Sequence, residues 1–314
     1  MKRYFLIIIM WVFIGSECPE RKMAEFKRNP NLEIFLSDSL SNFHLNYFSP
    51  IWAPSGDKIY CIARKEEENR IRHMLIYITL PNKKIFTVVK DSVMLFTLSH
   101  EGNEIAYVKG TSDWDPFPGE HIEPLIEEKI VFINLLTGER KIFSPSCPYV
   151  EDLKYTHDDK FLIFLAKGDT SISGFYSLDL STWKETLILK IPLTKEDIAS
   201  FILHPQSDSI IKGMSENMWY PQFNPTNSNM LCTVKDWSFT DLWKENSEDE
   251  EIFLLDLSTG DKKPLNAKPY YYTDIGRVSF SPDGSKIIFS AARPDIFEGG
   301  IFFDYQELWI LNLK

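Results

Sequence analysis

Glycine is sparse and badly spaced for nucleotide chemistry. The fourteen glycines include no pair two, four or five residues apart, so the dinucleotide fingerprint, the nucleophile elbow and the phosphate loop are all excluded. Cysteine is scarcer: Cys18, Cys61, Cys147 and Cys232 cannot build a disulfide framework in 314 residues, and the last three read as packing residues. No stretch is dense in Lys or Arg, and 34 basic against 45 acidic residues leave a net charge of −11, which repels phosphate backbones and argues against a nucleic-acid partner. The six histidines are at least 21 residues apart, so there is no local zinc motif, and Asp113 to Asp115 lacks the spacing of a calcium loop. No metal ligand set or cofactor is expected. An apolar run long enough to span a bilayer is missing as well: Tyr4 to Ile14 has eleven residues and would rise about 16 Å as a helix, against roughly 30 Å of hydrocarbon.

That short run does have a use. Lys2 and Arg3 precede it, and Gly15, Ser16, Glu17 and Cys18 follow, the order of charged, apolar and small residues found in an export signal. We expect a signal peptide over residues 1–16, a linker over 17–31 and one folded domain over 32–314. Cleavage after Ser16 releases a soluble protein; a lipoprotein signal reaching to residue 17 makes Cys18 a lipid acceptor, although Glu17 is not the small residue usual before such a cysteine. Either way the protein is expected outside the cytoplasm, in the periplasm, at the cell envelope or secreted, touching a membrane only through a lipid anchor.

What the sequence has in abundance is a repeated strand, turn and strand: Trp52 APSGDKIYCIA, Leu98 SHEGNEIAYVK, Tyr155 THDDKFLIFLA, Phe223 NPTNSNMLCTV and Phe280 SPDGSKIIFSA. The first position is always large and apolar. The fifth is Gly56, Gly102, Asp159, Asn227 or Gly284, residue types that tolerate positive φ in a tight turn. His100 and His157 occupy the third position, where the other copies have Pro54, Pro225 and Pro282, and read as turn residues. Positions eight to ten are apolar in succession, as in a strand buried on both faces. A second alternating strand follows each copy, from Leu75, Ile130, Phe175, Ile252 and Leu308, and a short outer strand follows, as at Lys84 to Val89 and Glu185 to Ile191. Copies are 46, 57, 68 and 57 residues apart, the period of propeller blades whose four-stranded sheets need neighbours to bury their faces.

Phe280 SPDGSKIIFSAA resembles the repeat of TolB-like propellers, the WD40-like (PD40) family whose blades also occur in prolyl-oligopeptidase-type enzymes, and the weaker copies extend the resemblance across residues 32–314. It implies a fold, an all-β propeller, and no particular chemistry. A fainter similarity links Tyr220 PQFNPTNSNML to oligogalacturonate-lyase propellers, but Tyr220 stands where a histidine tends to occur there. Five complete blades are preferred; Leu203 HPQSDSIIKG, read as a hairpin insertion or truncated blade, keeps six open. The last blade lacks an outer strand, which Leu32 to Asp38 can supply to close the ring.

Three long insertions carry aromatics beside carboxylates: Gly110 to Glu128, Asp236 to Glu251 and Ala292 to Gln306. Such groups stack on sugar rings and hydrogen-bond their edges, or take cationic peptides. The candidate ligand residues are Trp114, Asp115, Glu120, Asp236, Trp237, Trp243, Phe302 and Tyr305. The charged run Lys65 to Arg72 is expected to be a solvated connection. Repeats without catalytic motifs point to a non-enzymatic propeller binding a protein or glycan at the cell envelope. The alternative is a glycoside hydrolase or polysaccharide lyase with carboxylates from different blades converging in the central channel.

Overall fold

The computed structural model describes residues 27–37, 45–67, 70–90, 92–110, 128–167, 174–190, 218–235, 251–256, 259, 261–270, 275–297 and 300–313. The expected signal segment, Cys18, the Leu203 repeat and the first two long insertions lie outside them.

Every described element is a strand. After β1 (Leu32–Leu36) the chain forms antiparallel meanders. Blade one is β2 (Leu45–Trp52), β3 (Lys58–Glu67), β4 (Arg70–Thr79) and β5 (Ile85–Val89). Blade two is β6 (Val93–Leu98), β7 (Glu104–Lys109), β8 (Lys129–Asn134) and β9 (Arg140–Phe143). Blade three is β10 (Tyr149–Tyr155), β11 (Phe161–Lys167), β12 (Gly174–Asp179) and β13 (Lys184–Lys190), and blade four is β14 (Met218–Asn224), β15 (Asn227–Lys235), β16 (Glu251–Asp256) and β17 (Lys262–Pro264). Blade five contains β18 (Ile275–Phe280), β19 (Lys286–Phe297) and β20 (Gly300–Asn312), and its fourth strand is β1, paired with β20 through Leu32 opposite Leu311 and Ile34 opposite Trp309.

The doubly apolar strands explain how the blades stack. In β3, Ile59, Cys61 and Ala63 enter a core shared with blade five, while Tyr60 and Ile62 enter one shared with blade two. β7 divides the same way, Ile105 and Tyr107 toward blade one and Ala106 and Val108 toward blade three, and β19 sends Ile287 and Phe289 toward blade four and Ile288 toward blade one. Two-residue periodicity thus sends alternate side chains of one strand into two different cores, and each fully buried Ile or Phe contributes about 1.5–3 kcal/mol. Four-stranded sheets stacked face to face through such cores are the blades of a β-propeller. Cys61 and Cys147 are buried within these cores without a disulfide, Cys147 Sγ lying 3.2 Å from Tyr176 Oη; burial alone pushes the Cys61 thiol far above its usual range.

First strands approach first strands: β2 lies beside β6 and β18, β6 beside β10, and β14 beside β18. They form the inner edges of the blades. The fourth strands form the rim, where Ile34, Phe86, Ile142 and Leu187 are exposed.

Two segments expected as loops are strands instead. Lys65 to Arg72 is the tip of the β3–β4 hairpin, with Lys65 opposite Arg72 and Glu67 opposite Arg70. Ala292 to Gln306 prolongs the β19–β20 hairpin, pairing Ala292 with Gln306 and Phe297 with Gly300. In both, backbone pairing continues beyond the blade, so charged and aromatic content did not mark the end of the ladder.

Candidate functional site

The tight turns between first and second strands form one end of the blade stack, and their repeat chemistry is visible in the hydrogen bonds. The second-position hydroxyl accepts from a backbone N–H five residues on: Glu104 N–H to Ser99 Oγ at 3.0 Å, Phe161 N–H to Thr156 Oγ1 at 3.1 Å and Lys286 N–H to Ser281 Oγ at 3.0 Å. Gly56, Gly102, Asp159 and Gly284 have φ of 73°, 71°, 52° and 67°, which their residue types tolerate. Asn227 does not follow: it begins β15 opposite Asn224, and Phe223 pairs with Leu231, one residue beyond the partner the other copies use. Blade four therefore turns on Pro225 and Thr226 alone.

Successive turns interlock. A Cβ on Gly102 would stand 3.0 Å from the Pro54 ring of blade one, and one on Gly284 would stand 2.6 Å from Asn224 Oδ1 of blade four. Between blades two and three the contact is polar. Asp159 accepts the His100 N–H at 2.9 Å and the Glu101 N–H at 3.0 Å and holds His100 Nδ1 at 3.0 Å, while the His100 and His157 rings meet edge to face at 5.2 Å. Both histidines are thus turn residues, as expected, and they also seal a blade junction.

Every inner strand carries a register irregularity against its second strand, between Phe48 and Ile51, Val93 and Leu95, Val150 and Asp152, Trp219 and Gln222, and Ile275 and Val278, and β14 has a second between Phe223 and Asn224. A bulge re-aims side chains locally. In β10 and β18 it coincides with a charged cluster: Arg277 Nη2 donates to Asp152 Oδ1 at 2.8 Å, the two side chains being 11% and 28% exposed. Blades three and five share no hydrophobic core among the described residues, so this ion pair joins blades that do not stack on each other. Lys154, two residues along β10, has its ammonium pushed down to about 8, first by burial and then by Arg277, with Asp152 opposing. Below them Tyr155 donates to Glu104 of blade two at 2.8 Å, and burial followed by the Glu104 charge drives its hydroxyl far up.

The sequence reading passed over Asp152, Lys154 and Arg277. The available signal was their place, one and three residues before the apolar anchor of a repeat (Tyr155 and Phe280), where the other copies have Ser49, Ile51, Leu95 and Thr97. Of the expected ligand residues, Trp114, Asp115, Glu120, Asp236, Trp237 and Trp243 lie outside the described residues. Phe302 and Tyr305 are strand positions in β20, opposite Asp295 and Arg293, rather than members of a loop. β7, β15 and β19 all end away from the tight turns, so the three insertions leave their blades at the same end. Among the described residues no group of three or more His, Cys, Asp or Glu side chains is placed to hold a metal ion.

No protein-family model matches the chain, and no curated protein matches it. Among solved structures the chain is similar to TolB from Acinetobacter baumannii at 14% identity and a TM-score of 0.42, over 86% of this chain and 55% of that one. It is similar to the β-propeller domain of the Trilobed protease from Pyrococcus furiosus at 12% identity and a TM-score of 0.43, over 83% and 84%. It is also similar to the acylaminoacyl peptidase of Pyrococcus horikoshii at 10% identity and a TM-score of 0.42, over 82% of this chain and 46% of that one. These neighbours include TolB, whose family repeat Phe280 SPDGSKIIFSAA resembles.

Proposed function

We propose that the chain is an exported, five-bladed β-propeller, closed by β1, that serves as a non-enzymatic binding module for a protein or glycan at the cell envelope. The observation that carries this reading is the charge on the inner strands. Among the described residues, the only acidic residues on the inner strands are Glu151 and Asp152, neighbours on β10, and Asp152 is engaged by Arg277 at 2.8 Å. Glycoside hydrolysis needs two carboxyl groups facing each other across the scissile bond, roughly 5–10 Å apart. One adjacent pair on one strand does not supply them. The binding surface in this reading is the end from which the long insertions leave, bearing Trp114, Asp115, Glu120, Asp236, Trp237 and Trp243, with Phe302 and Tyr305 on the blade-five hairpin. Export is supported by the Lys2 to Ser16 pattern, and ring closure by the β1–β20 pairing.

The test is a panel of envelope polysaccharides and peptides incubated with the purified mature chain, read by thermal shift and by chromatography of the ligand. We expect a saturable rise in melting temperature with the ligand unchanged. Product formation that Asp152→Asn abolishes would instead establish channel chemistry. Mass spectrometry of the mature N-terminus distinguishes cleavage after Ser16 from lipid on Cys18.

A further inference from the structure

Beside β1, where β20 leaves the third insertion after Gln306, the segment before β1 packs against the face of blade five that looks toward blade four. Alternation along β20 puts Glu307, Trp309 and Leu311 on the side of the blade-four core, while Leu308 and Ile310 face blade one. On the first side Tyr270, from the connection between β17 and β18, stands edge to face with Trp309 at 5.8 Å. At the polar edges of the two rings lies the carboxylate of Glu307, a residue 3% exposed, accepting from Tyr270 Oη at 2.6 Å and Trp309 Nε1 at 3.2 Å. Over them lies the Arg28 guanidinium, 4.6 Å from the Trp309 ring centre and 5.6 Å from that of Tyr270, with Nε donating to the Pro269 carbonyl at 3.0 Å.

Two rings at 89° to each other, with a buried carboxylate held at their polar edges, make a recognition site for a cation. The rings offer quadrupolar attraction, strongest for a flat guanidinium stacked on Trp, and the carboxylate adds a charge whose burial is costly without a cation nearby. Burial, reinforced by the Glu307 hydrogen bond and charge, also holds the Tyr270 hydroxyl above its ordinary range, with Arg28 and, more weakly, Arg293 pulling the other way. Arg28 itself is an exposed residue four positions before β1, so its removal uncovers the site without removing a strand.

We propose that Tyr270, Trp309 and Glu307 form a guanidinium-binding site, and that Arg28 is its built-in occupant, displaced when a partner presents an arginine. An intramolecular occupant competes at an effective concentration on the order of millimolar, so it masks the site from weak ligands and yields to a partner that binds through further contacts.

The probe is N-acetyl-arginine amide, with N-acetyl-citrulline amide as its uncharged isostere, titrated into the full chain and followed by tryptophan fluorescence and thermal shift. Arg28→Ala should bind the arginine probe about tenfold or more tightly than the native chain, the gain expected when a competing occupant is removed. It should ignore the citrulline probe, and Arg28→Ala/Glu307→Gln should lose the gain. Arg28→Met, which keeps an aliphatic stem over the rings, serves if Arg28→Ala melts too early to titrate. Equal response to both probes, or no gain in either single variant with its fold intact by circular dichroism, would overturn the proposal. These outcomes are independent of whether the long insertions bind anything.

Discussion

Two blade junctions solve one geometric problem by different means. Where blade two meets blade one, Gly102 at a φ of 71° lets its turn close against the Pro54 ring, with 3.0 Å between that ring and the place a Cβ would take. Where blade three meets blade two, Asp159 at a φ of 52° replaces the glycine and His100 replaces the proline. The contact then consists of two N–H groups and an imidazole gathered on one carboxylate. One joint depends on the absence of atoms, the other on donors and an acceptor. The lesson is that the propeller constrains the spacing of the turns rather than their chemistry, so a repeat position can change character if its neighbour in the next blade changes with it.

The largest expected effect comes from breaking the first joint. Gly102→Val adds a branched side chain at positive φ against Pro54 and should cost about 3 kcal/mol of stability, read from chemical unfolding. Breaking the second joint costs less. Asp159→Ala removes an acceptor from two backbone donors, and a loss of about 2 kcal/mol is expected. Converting that joint to the other kind sharpens the comparison: His100→Pro with Asp159→Gly removes the acceptor together with the His100 N–H and imidazole and leaves the Glu101 N–H to solvent, and the double variant should fall within about 1 kcal/mol of the native chain. A double variant no more stable than Asp159→Ala would show that the two joints are not interchangeable. Gly138, at a φ of 74° with nothing near its absent Cβ, is the control for backbone strain alone, and Gly138→Ala should cost about 1 kcal/mol.

The smallest effect lies within single turns rather than between them. Asp158, in the polar joint's turn, and Asp283, in the turn of blade five, are both lowered to about 2, Asp158 chiefly by the Lys160 side chain and Asp283 chiefly by the Ser281 hydroxyl. A carboxylate depressed in the folded state contributes stability that is complete above its unfolded value of about 3.9 and is lost as pH falls toward the folded one. The unfolding midpoint should therefore drop between about pH 4 and pH 2. Asp283→Asn should flatten that slope slightly, and Asp158→Asn should do so to a similar extent.

How much of this could be read beforehand differs from element to element. Four of the five fifth-position residues adopt positive φ as their types suggest, because a tight turn is a local problem that local residues solve. Asn227 departs because blade four shortens its turn and moves its register by one residue, a choice made by how β14 and β15 pair. The hairpins at Lys65 to Arg72 and Ala292 to Gln306 were misread because charged or aromatic residues can sit in a paired strand as readily as in a loop. Of the candidate ligand residues, Phe302 and Tyr305 are positioned in β20, while the charged cluster near the inner strands showed in the sequence only as charged residues ahead of two repeat anchors, with nothing to say that they meet. Its members Asp152 and Arg277 are 125 residues apart in the chain.

By itself the sequence determined the repeat, the alternation that splits each second strand between two cores, and the turn residues, since each follows from the φ preference or polarity of side chains within a dozen positions. Only the tertiary structure decided that Asp152 meets Arg277, that Asp159 reaches back to His100, and that Arg28 caps Tyr270 and Trp309. Those contacts depend on where the stacked blades bring distant segments together, and no short stretch of chain contains that distance.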